Sequence, residues 1–111
     1  MTYKRYDVVV VPFPFTDKNS GKRRPALLLS SEKSFNEIAN HSILAMITSA
    51  KHSSWPMDIE ITDLDLAGLA SESIIRMKLF TLDNSLILRK AGELAQKDRT
   101  VLKKNLKLLF A

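Results

Sequence analysis

The segment Lys22-Arg23-Arg24-Pro25 carries the clearest chemical potential in this sequence. Arg24 directly precedes a proline, which restricts it to extended conformations and aims its side chain reproducibly. Its guanidinium is a planar set of donors that pairs with a phosphate through two bonds and stays charged at any biological pH. These properties suit the stabilisation of negative charge that develops on a phosphate. On this feature alone, the competing interpretation is a surface arginine beside a turn.

Further hydroxyl and basic groups stand at strand-like positions. Thr48 and Ser49 end an apolar run, where a hydroxyl either donates to a phosphate oxygen or satisfies a strand-end carbonyl. Arg76 and Lys78 lie two residues apart and so share one face of a strand, as a phosphate-binding stripe or as an ordinary solvent face. Trp55 is able to stack on an unpaired base.

Other kinds of site are missing from the sequence. There is no cysteine, which excludes disulfides, thiolate zinc sites and cysteine nucleophiles. No His/Asp/Glu cluster has metal-ligand spacing, and there is no phosphate-binding loop, dinucleotide fingerprint or nucleophile elbow. We therefore expect no metal and no cofactor.

The length and net charge of the chain indicate one basic domain. With 111 residues, 45% of them hydrophobic and 26% charged, we expect a single domain over residues 1–111. The net charge of +5 is the sum of +4 in residues 1–30, −4 in residues 31–88 and +5 in residues 89–111. Such basic ends attract phosphate backbones or an acidic protein tail, or they form an ordinary solvated surface. Without an apolar run of ~18 residues or a signal-type core, we expect a soluble, cytoplasmic protein with no membrane contact.

Short apolar or alternating runs separated by turn signals predict five to seven strands and hence a small barrel or sandwich. We expect a mobile basic loop before Pro25 and a single helical turn that ends at Gly68. The predicted strands are Val8 to Phe15, Pro25 to Ser30, Ser42 to Thr48, Asp58 to Ile61, Ser73 to Leu82 and Ser85 to Leu94.

The last segment changes to helical spacing. Its apolar residues predict an amphipathic helix that packs over one open end of the barrel, with Asp98 as the candidate cap of its first turn. The apolar stripe consists of Val101, Leu102, Leu106, Leu109 and Phe110. The fold class expected from the residues is therefore mainly β with short helices and a C-terminal amphipathic helix.

Several of these segments, in this order, resemble the MazF/PemK family of bacterial toxins, the endoribonuclease half of type II toxin–antitoxin pairs. The resemblance covers nearly the whole chain. The matching segments are Tyr6 to Val11, Arg24 to Ser30, Phe35-Asn36, Met46 to Thr48, Ser73 to Asp83, and Gly92 to Leu94 with the final helix.

This resemblance implies an SH3-like barrel, a homodimer, and metal-independent cleavage of single-stranded RNA, such as mRNA. In that reaction the ribose 2′-hydroxyl attacks the adjacent phosphate and leaves a 2′,3′-cyclic phosphate and a 5′-hydroxyl. Carried over by position, Arg24 matches the catalytic arginine, Thr48 the catalytic threonine, and Arg76 an arginine that is catalytic in the PemK branch. The expected partner is an antitoxin whose acidic, disordered tail folds onto the basic groove.

Neighbouring basic and hydroxyl groups are expected to contact the RNA. These residues are Lys22, Arg23, Ser49, Lys51 and Lys78.

Three positions depart from the family pattern. The loop before Arg24 lacks the usual glutamate, Lys78 stands where PemK-type proteins have an acid, and Tyr6 replaces the usual first glycine. The general base is therefore left open. Two alternatives of other classes are a gyrase-binding toxin like CcdB, which has the same barrel, and a catalytically silent SH3-like interaction module.

Overall fold

The computed structural model describes residues 2–13, 21–51 and 54–111. The strands are β1 (Asp7–Phe13), β2 (Lys22–Leu28), β3 (His41–Ser49), β4 (Ile59–Glu60), β5 (Ser73–Asp83) and β6 (Arg89–Glu93). The helical elements are a π-helical turn (Glu32–Asn36), α1 (Glu37–Ala39), α2 (Leu64–Ala67), a 3₁₀ turn (Asn84–Leu86) and α3 (Gln96–Leu109).

Within these ranges the six strands form one sheet with the order β4-β5-β3-β2-β1-β6, and all of the pairings are antiparallel. The sequence therefore predicted a mainly β fold with short helices correctly. The predicted helical turn before Gly68 is α2, which Gly68 ends in a left-handed conformation at φ 73°.

The sequence predicts a loop for the basic segment before Pro25, but the structure shows a strand there. Lys22, Arg23 and Arg24 belong to β2 and pair with Phe13, Pro12 and Val11 of β1. Pairing extends that far because β1 is long enough to continue the ladder beyond Pro25. The rest of the predicted turn, and the end of the predicted strand at Phe15, lie outside the described residues.

Both faces of the sheet are apolar, because alternate residues of the central strands are buried on opposite sides. On one face α2 and α3 contribute to the core, which contains Val8, Leu27, Ala45, Ile47, Ile75, Leu94 and Leu102. The other face carries Val9, Val11, Ala26, Leu28, Leu44, Leu82 and Ile87. The unbroken valine run of β1 reflects this burial on two sides.

The C-terminal helix is confirmed, but only part of its apolar stripe is buried. Leu102 is fully buried and Leu106 packs against the core, whereas Val101, Leu109 and Phe110 are exposed. The expectation that the whole stripe packs over one end of a barrel is therefore wrong for these three residues: Val101 lies beside buried Leu102 but is exposed, and Leu109 and Phe110 lie beyond the last turn that packs on the core.

Asp98 does not cap α3, contrary to the sequence-based expectation. Ala95 is the residue that precedes the helix, and Asp98 lies in the first turn. Its buried carboxylate accepts hydrogen bonds from the backbone N and from Oγ1 of Thr62, both at 2.9 Å. Asp98 thus ties α3 to the segment after β4 while its negative charge remains near the positive end of the helix dipole.

Two glycines let α2 approach the edge strand β6. A Cβ on Gly92 would lie 2.3 Å from the carbonyl oxygen of Leu66, and one on Gly68 would lie 2.1 Å from that of Ala91. Helix α2, which lies between β4 and β5, thus packs directly on β6 at the opposite edge of the sheet from β4. The sheet must therefore curl strongly to bring its two edges together. None of the helices in the described ranges is long and apolar enough to span a membrane.

Candidate active site

The sheet register brings the three predicted catalytic residues onto one face. Ala26 pairs with Met46 at the end of the ladder between β2 and β3, and Arg24 and Thr48 each lie two residues further along the same face of their strands. On the other side of β3, Met46 pairs with Arg76 and Thr48 pairs with Ile74. Arg24, Thr48 and Arg76 therefore occupy two adjacent rows of the same face, on three neighbouring strands.

Arg24 borders a mainly apolar pocket. Its Cζ lies 5.1 Å from the centroid of the Phe13 ring, a cation–π contact that orients the half-buried side chain. The pocket has a volume of about 420 Å³ and combines apolar and aromatic walls with two cationic side chains. Its lining residues are Phe13, Arg24, Met46, Lys78, Leu79 and Phe80.

Arg76 is held by a carboxylate that the sequence did not reveal. Asp58 accepts a hydrogen bond from Arg76 Nε at 3.2 Å on Oδ1 and one from Nη2 at 3.0 Å on Oδ2. Ile59 of β4 pairs with Ile75 of β5, so the same register sets Asp58 directly opposite Arg76. The side chains are only 10% and 17% exposed, which favours a well-ordered ion pair.

The ion pair shifts the pKa of both residues. The hydrogen bond from Arg76 holds the pKa of Asp58 below its ordinary value against the opposing effect of desolvation, with help from the backbone N–H of Trp55. The hydrogen bond to Asp58 in turn raises the pKa of Arg76. The acidic residue of this site is therefore ionised and its arginine charged at neutral pH.

Among the predicted RNA contacts, Lys22 and Lys78 lie with Arg24. Lys22 is two residues from Arg24 on β2 and so shares its face, while Lys78 lines the Arg24 pocket and places its Nζ 4.6 Å from the centroid of the Trp55 ring. Both lysines are exposed.

The other three predicted contacts are not brought together with Arg24. Arg23 and Ser49 each neighbour a site residue in sequence, so their side chains project from the opposite face. Lys51 is exposed in the turn after β3, where its backbone N donates to Ser49 Oγ at 3.2 Å.

No histidine in the described ranges lies beside these residues. His41 begins β3 whereas Thr48 is near its end, a separation of roughly 23 Å at ~3.3 Å per residue. Within the same ranges there is no group of three or more His, Asp or Glu side chains placed to hold a metal ion. Among the described residues, the site thus combines two arginines, two lysines, a threonine hydroxyl and one carboxylate.

The fold of this chain is similar to that of solved MazF toxins. The chain is similar to MazF in a MazE-MazF complex from Deinococcus radiodurans, with a TM-score of 0.77, 19% identity and coverage of 100% of this chain and 97% of that one. It is also similar to an endoribonuclease in complex with its cognate antitoxin from a mycobacterial species (TM-score 0.74, 13% identity, 96% and 92% covered). For Mycobacterium tuberculosis toxin MazF-mt6 the TM-score is 0.73 at 17% identity, with 94% and 95% covered.

These likenesses define the class of protein by its fold, a MazF-like antiparallel sheet with a C-terminal helix. The family model of the PemK-like, MazF-like toxins of type II toxin–antitoxin systems matches residues 4–110. The chain therefore belongs to that family, as its collinear motifs had suggested. A comparison with curated proteins finds no significant match.

Proposed function

We propose that this protein is the toxin of a type II toxin–antitoxin system and an endoribonuclease that cleaves single-stranded RNA, including mRNA, without a metal. The observation that carries the proposal is the convergence of Arg24, Thr48 and Arg76 on one sheet face. Family membership agrees with this activity, because relatives of the same fold are endoribonucleases by name. Neither a gyrase-binding toxin nor a silent module is favoured by any observation.

The proposed reaction moves charge onto the scissile phosphate. The ribose 2′-oxygen forms a bond to phosphorus, the bond to the 5′-oxygen breaks, and the products are a 2′,3′-cyclic phosphate and a 5′-hydroxyl. Arg24 and Arg76 stabilise the negative charge of the phosphorane-like transition state, and Thr48 donates a hydrogen bond to a non-bridging oxygen. We also assign to Arg24 the protonation of the leaving 5′-oxygen.

Asp58 is not suited to act as the general base in this scheme. Its oxygens already accept hydrogen bonds from Arg76 and from the Trp55 backbone N–H, and these bonds lower its pKa. A carboxylate with a lowered pKa is a weaker proton acceptor. The 2′-hydroxyl proton therefore passes to another acceptor.

The pocket beside Arg24 is the proposed site for a base next to the scissile phosphate. A volume of about 420 Å³ walled by Phe13, Phe80 and Leu79 accommodates a nucleobase that is unstacked from its neighbours. Lys22 and Lys78 are the proposed phosphate contacts on either side. Arg23, Ser49 and Lys51 would meet RNA only where it passes around the sheet.

The proposal includes a homodimer in the cytoplasm and a protein partner. Related MazF chains are found with MazE, so we propose an antitoxin whose acidic segment neutralises the basic face. The exposed apolar end of α3, with Leu108, Leu109 and Phe110, is available for the contact between two copies. From the same resemblance we propose the SH3-like barrel closed by the C-terminal helix, in which the curled sheet forms the wall.

Incubation of the purified protein with a mixed-sequence RNA in EDTA tests the activity. We expect cleavage with 5′-hydroxyl ends, a loss of cleavage in Arg24→Ala and Thr48→Ala, and no cleavage at a 2′-deoxy position. Arg89→Ala and Thr81→Ala are matched controls, because both residues are exposed and lie outside the site. Intact RNA with the wild type, or site variants that cut as well as the wild type, would refute the mechanism. A gyrase supercoiling assay on the same sample should show no inhibition.

A further inference from the structure

The second arginine of the site lacks an acidic neighbour on its own strand. The resemblance to PemK-type proteins implies an acid two residues after this arginine, but this sequence has Lys78 there. Lys78 places its Nζ over the Trp55 ring, 4.6 Å from the centroid. The carboxylate that meets Arg76 comes instead from Asp58, 18 positions earlier in the chain.

Asp58 is itself held in place by a short turn. Its Oδ2 accepts a hydrogen bond from the backbone N of Trp55 at 2.9 Å, and its own backbone N donates to the Trp55 carbonyl at 3.2 Å. Met57 within this turn has a positive φ of 65°, and its carbonyl accepts a hydrogen bond from Asn105 Nδ2 of α3 at 3.2 Å. The turn is therefore anchored to α3 and to β5 independently of the ion pair.

A two-point pair of this kind determines the orientation of a guanidinium. Bonds from both Nε and Nη2 to one carboxylate fix the plane of the Arg76 head group, which a single bond would leave free to rotate. A preoriented charge stabilises a transition state more than a mobile one, because no reorganisation is needed as the reaction proceeds.

We propose that Asp58 is a positioning residue for Arg76 in RNA cleavage, so that the carboxylate of this site is supplied by the turn before β4 and not by β5. This inference rests on the proposed function, in which Arg76 contacts the scissile phosphate. Asp58 acts through Arg76 and does not itself touch the RNA.

The kinetic test is a double-mutant cycle. In Asp58→Asn we expect kcat to fall about 10- to 100-fold with little change in KM, since small errors in placement have effects of this size. In an Arg76→Ala background the same substitution should have no further effect, because the residue it positions is gone. Asp58→Glu retains the charge and should recover part of kcat. Asp65→Asn, on the exposed surface of α2, is the control for loss of a carboxylate.

A spectroscopic readout separates positioning from a structural role. The ¹⁵N–¹H signal of Arg76 Nε, assigned by its loss in Arg76→Lys, should be sharp in the wild type and should shift and broaden in Asp58→Asn. RNA with a 2′-O-methyl group at the cleavage site, which cannot react, should bind both proteins with similar affinity. Circular dichroism checks that each variant is folded, and Asp58→Glu serves in place of Asp58→Asn if the latter does not fold.

The outcomes distinguish the two proposals. If the wild type leaves RNA intact, the proposed function fails and this inference fails with it. If the wild type cleaves but Asp58→Asn cleaves equally well, only the inference about Asp58 is overturned. The same holds if Asp58→Asn lowers activity by the same factor in the Arg76→Ala background as in the wild type.

Discussion

Asp58 and Arg76 lie opposite each other on neighbouring parts of the sheet and form an ion pair, with Asp58 Oδ2 and Arg76 Nη2 3.0 Å apart. Because the folded pKa of Asp58 is lowered, its ionised form stabilises the folded state above its unfolded pKa of ~3.9, and that contribution is lost as the pH falls through the lower folded pKa. We therefore expect the stability difference between wild type and Asp58→Asn to be largest above about pH 5 and to vanish at lower pH. Urea unfolding between about pH 2.5 and 7 measures this difference.

The same series with Asp65→Asn provides the control, because Asp65 is exposed on α2. A stability difference for Asp58→Asn that stays constant down to the lowest pH would contradict the assigned titration. Added salt should reduce the difference only partly, since both side chains are largely shielded from solvent.

Tyr6 occupies a backbone conformation that favours glycine. Its φ is 76°, yet its ring packs on the core and lies 4.7 Å from the Cζ of both Arg5 and Arg99. Relief of left-handed strain is worth about 1 to 2 kcal/mol, whereas loss of an aromatic side chain costs up to about 3 to 5 kcal/mol when it is fully buried, and Tyr6 is partly buried. Glycine also adds conformational freedom to the unfolded chain. Tyr6→Gly should therefore lower the free energy of unfolding, which denaturant unfolding measures.

Tyr6→Phe is the informative companion to that variant. The Tyr6 hydroxyl is buried and has no hydrogen-bond partner among the described residues. Removing an unsatisfied buried polar group is neutral or stabilising. The melting temperature of Tyr6→Phe should therefore equal or exceed that of the wild type, and a clear decrease would indicate that the hydroxyl has a partner in solution.

Gly92 permits the contact between β6 and α2. The Cβ of alanine at this position would overlap backbone atoms of Leu66 and Ala67, which a rotamer change cannot relieve. We expect Gly92→Ala to destabilise the fold by about 1 to 3 kcal/mol or more. Gly21→Ala is the matched control, because its Cβ would meet no atom of the described residues within 4 Å and the change should alter stability by no more than about 0.5 kcal/mol.

Asn36 is a fully buried amide that joins three parts of the chain. Its Nδ2 donates to the carbonyls of Tyr3 and Ser30, its Oδ1 accepts from Ser30 Oγ, and Asn84 Nδ2 donates to its carbonyl. Asn36→Ala removes the three side-chain hydrogen bonds to Tyr3 and Ser30 but keeps the backbone carbonyl that Asn84 binds, and it should cost about 1 to 3 kcal/mol in thermal or urea unfolding. Gln96→Ala, at the exposed start of α3, should be nearly neutral; equal effects of the two changes would contradict a structural role for the amide.

The sequence predicted the elements of this fold better than their contacts. Alternation and apolar runs correctly indicated the strands, and helical spacing identified α3, because these patterns depend on neighbours within a few residues. The burial of Leu102 but not Phe110 depends on where the core ends, which no periodicity records. The hydrogen bond from Thr62 Oγ1 to Asp98 likewise joins residues 36 positions apart.

In the candidate site, too, the sequence indicated individual residues but not the contacts between them. Arg24, Thr48 and Arg76 were proposed from the family resemblance, and the register then brought them to one face. Asp58 was missed because its role depends on which strand pairs with β4. The alternation from Asp58 to Ile61 predicted a strand, but a two-residue strand can pair at either edge of a sheet. Only the observed pairing with β5 sets Asp58 opposite Arg76.

Replacement of Arg24 by lysine tests whether the geometry of its charge matters. Lysine keeps the positive charge but lacks the planar fork that binds two phosphate oxygens. We expect Arg24→Lys to lower kcat by about 10²- to 10³-fold, as for loss of a donor to a developing oxyanion, while binding of 2′-O-methyl RNA is largely retained. Arg89→Lys on β6 should be indistinguishable from the wild type in both assays. If Arg24→Lys cleaves at the wild-type rate, a diffuse positive charge is sufficient, and the proposed two-point contact with the transition state is wrong.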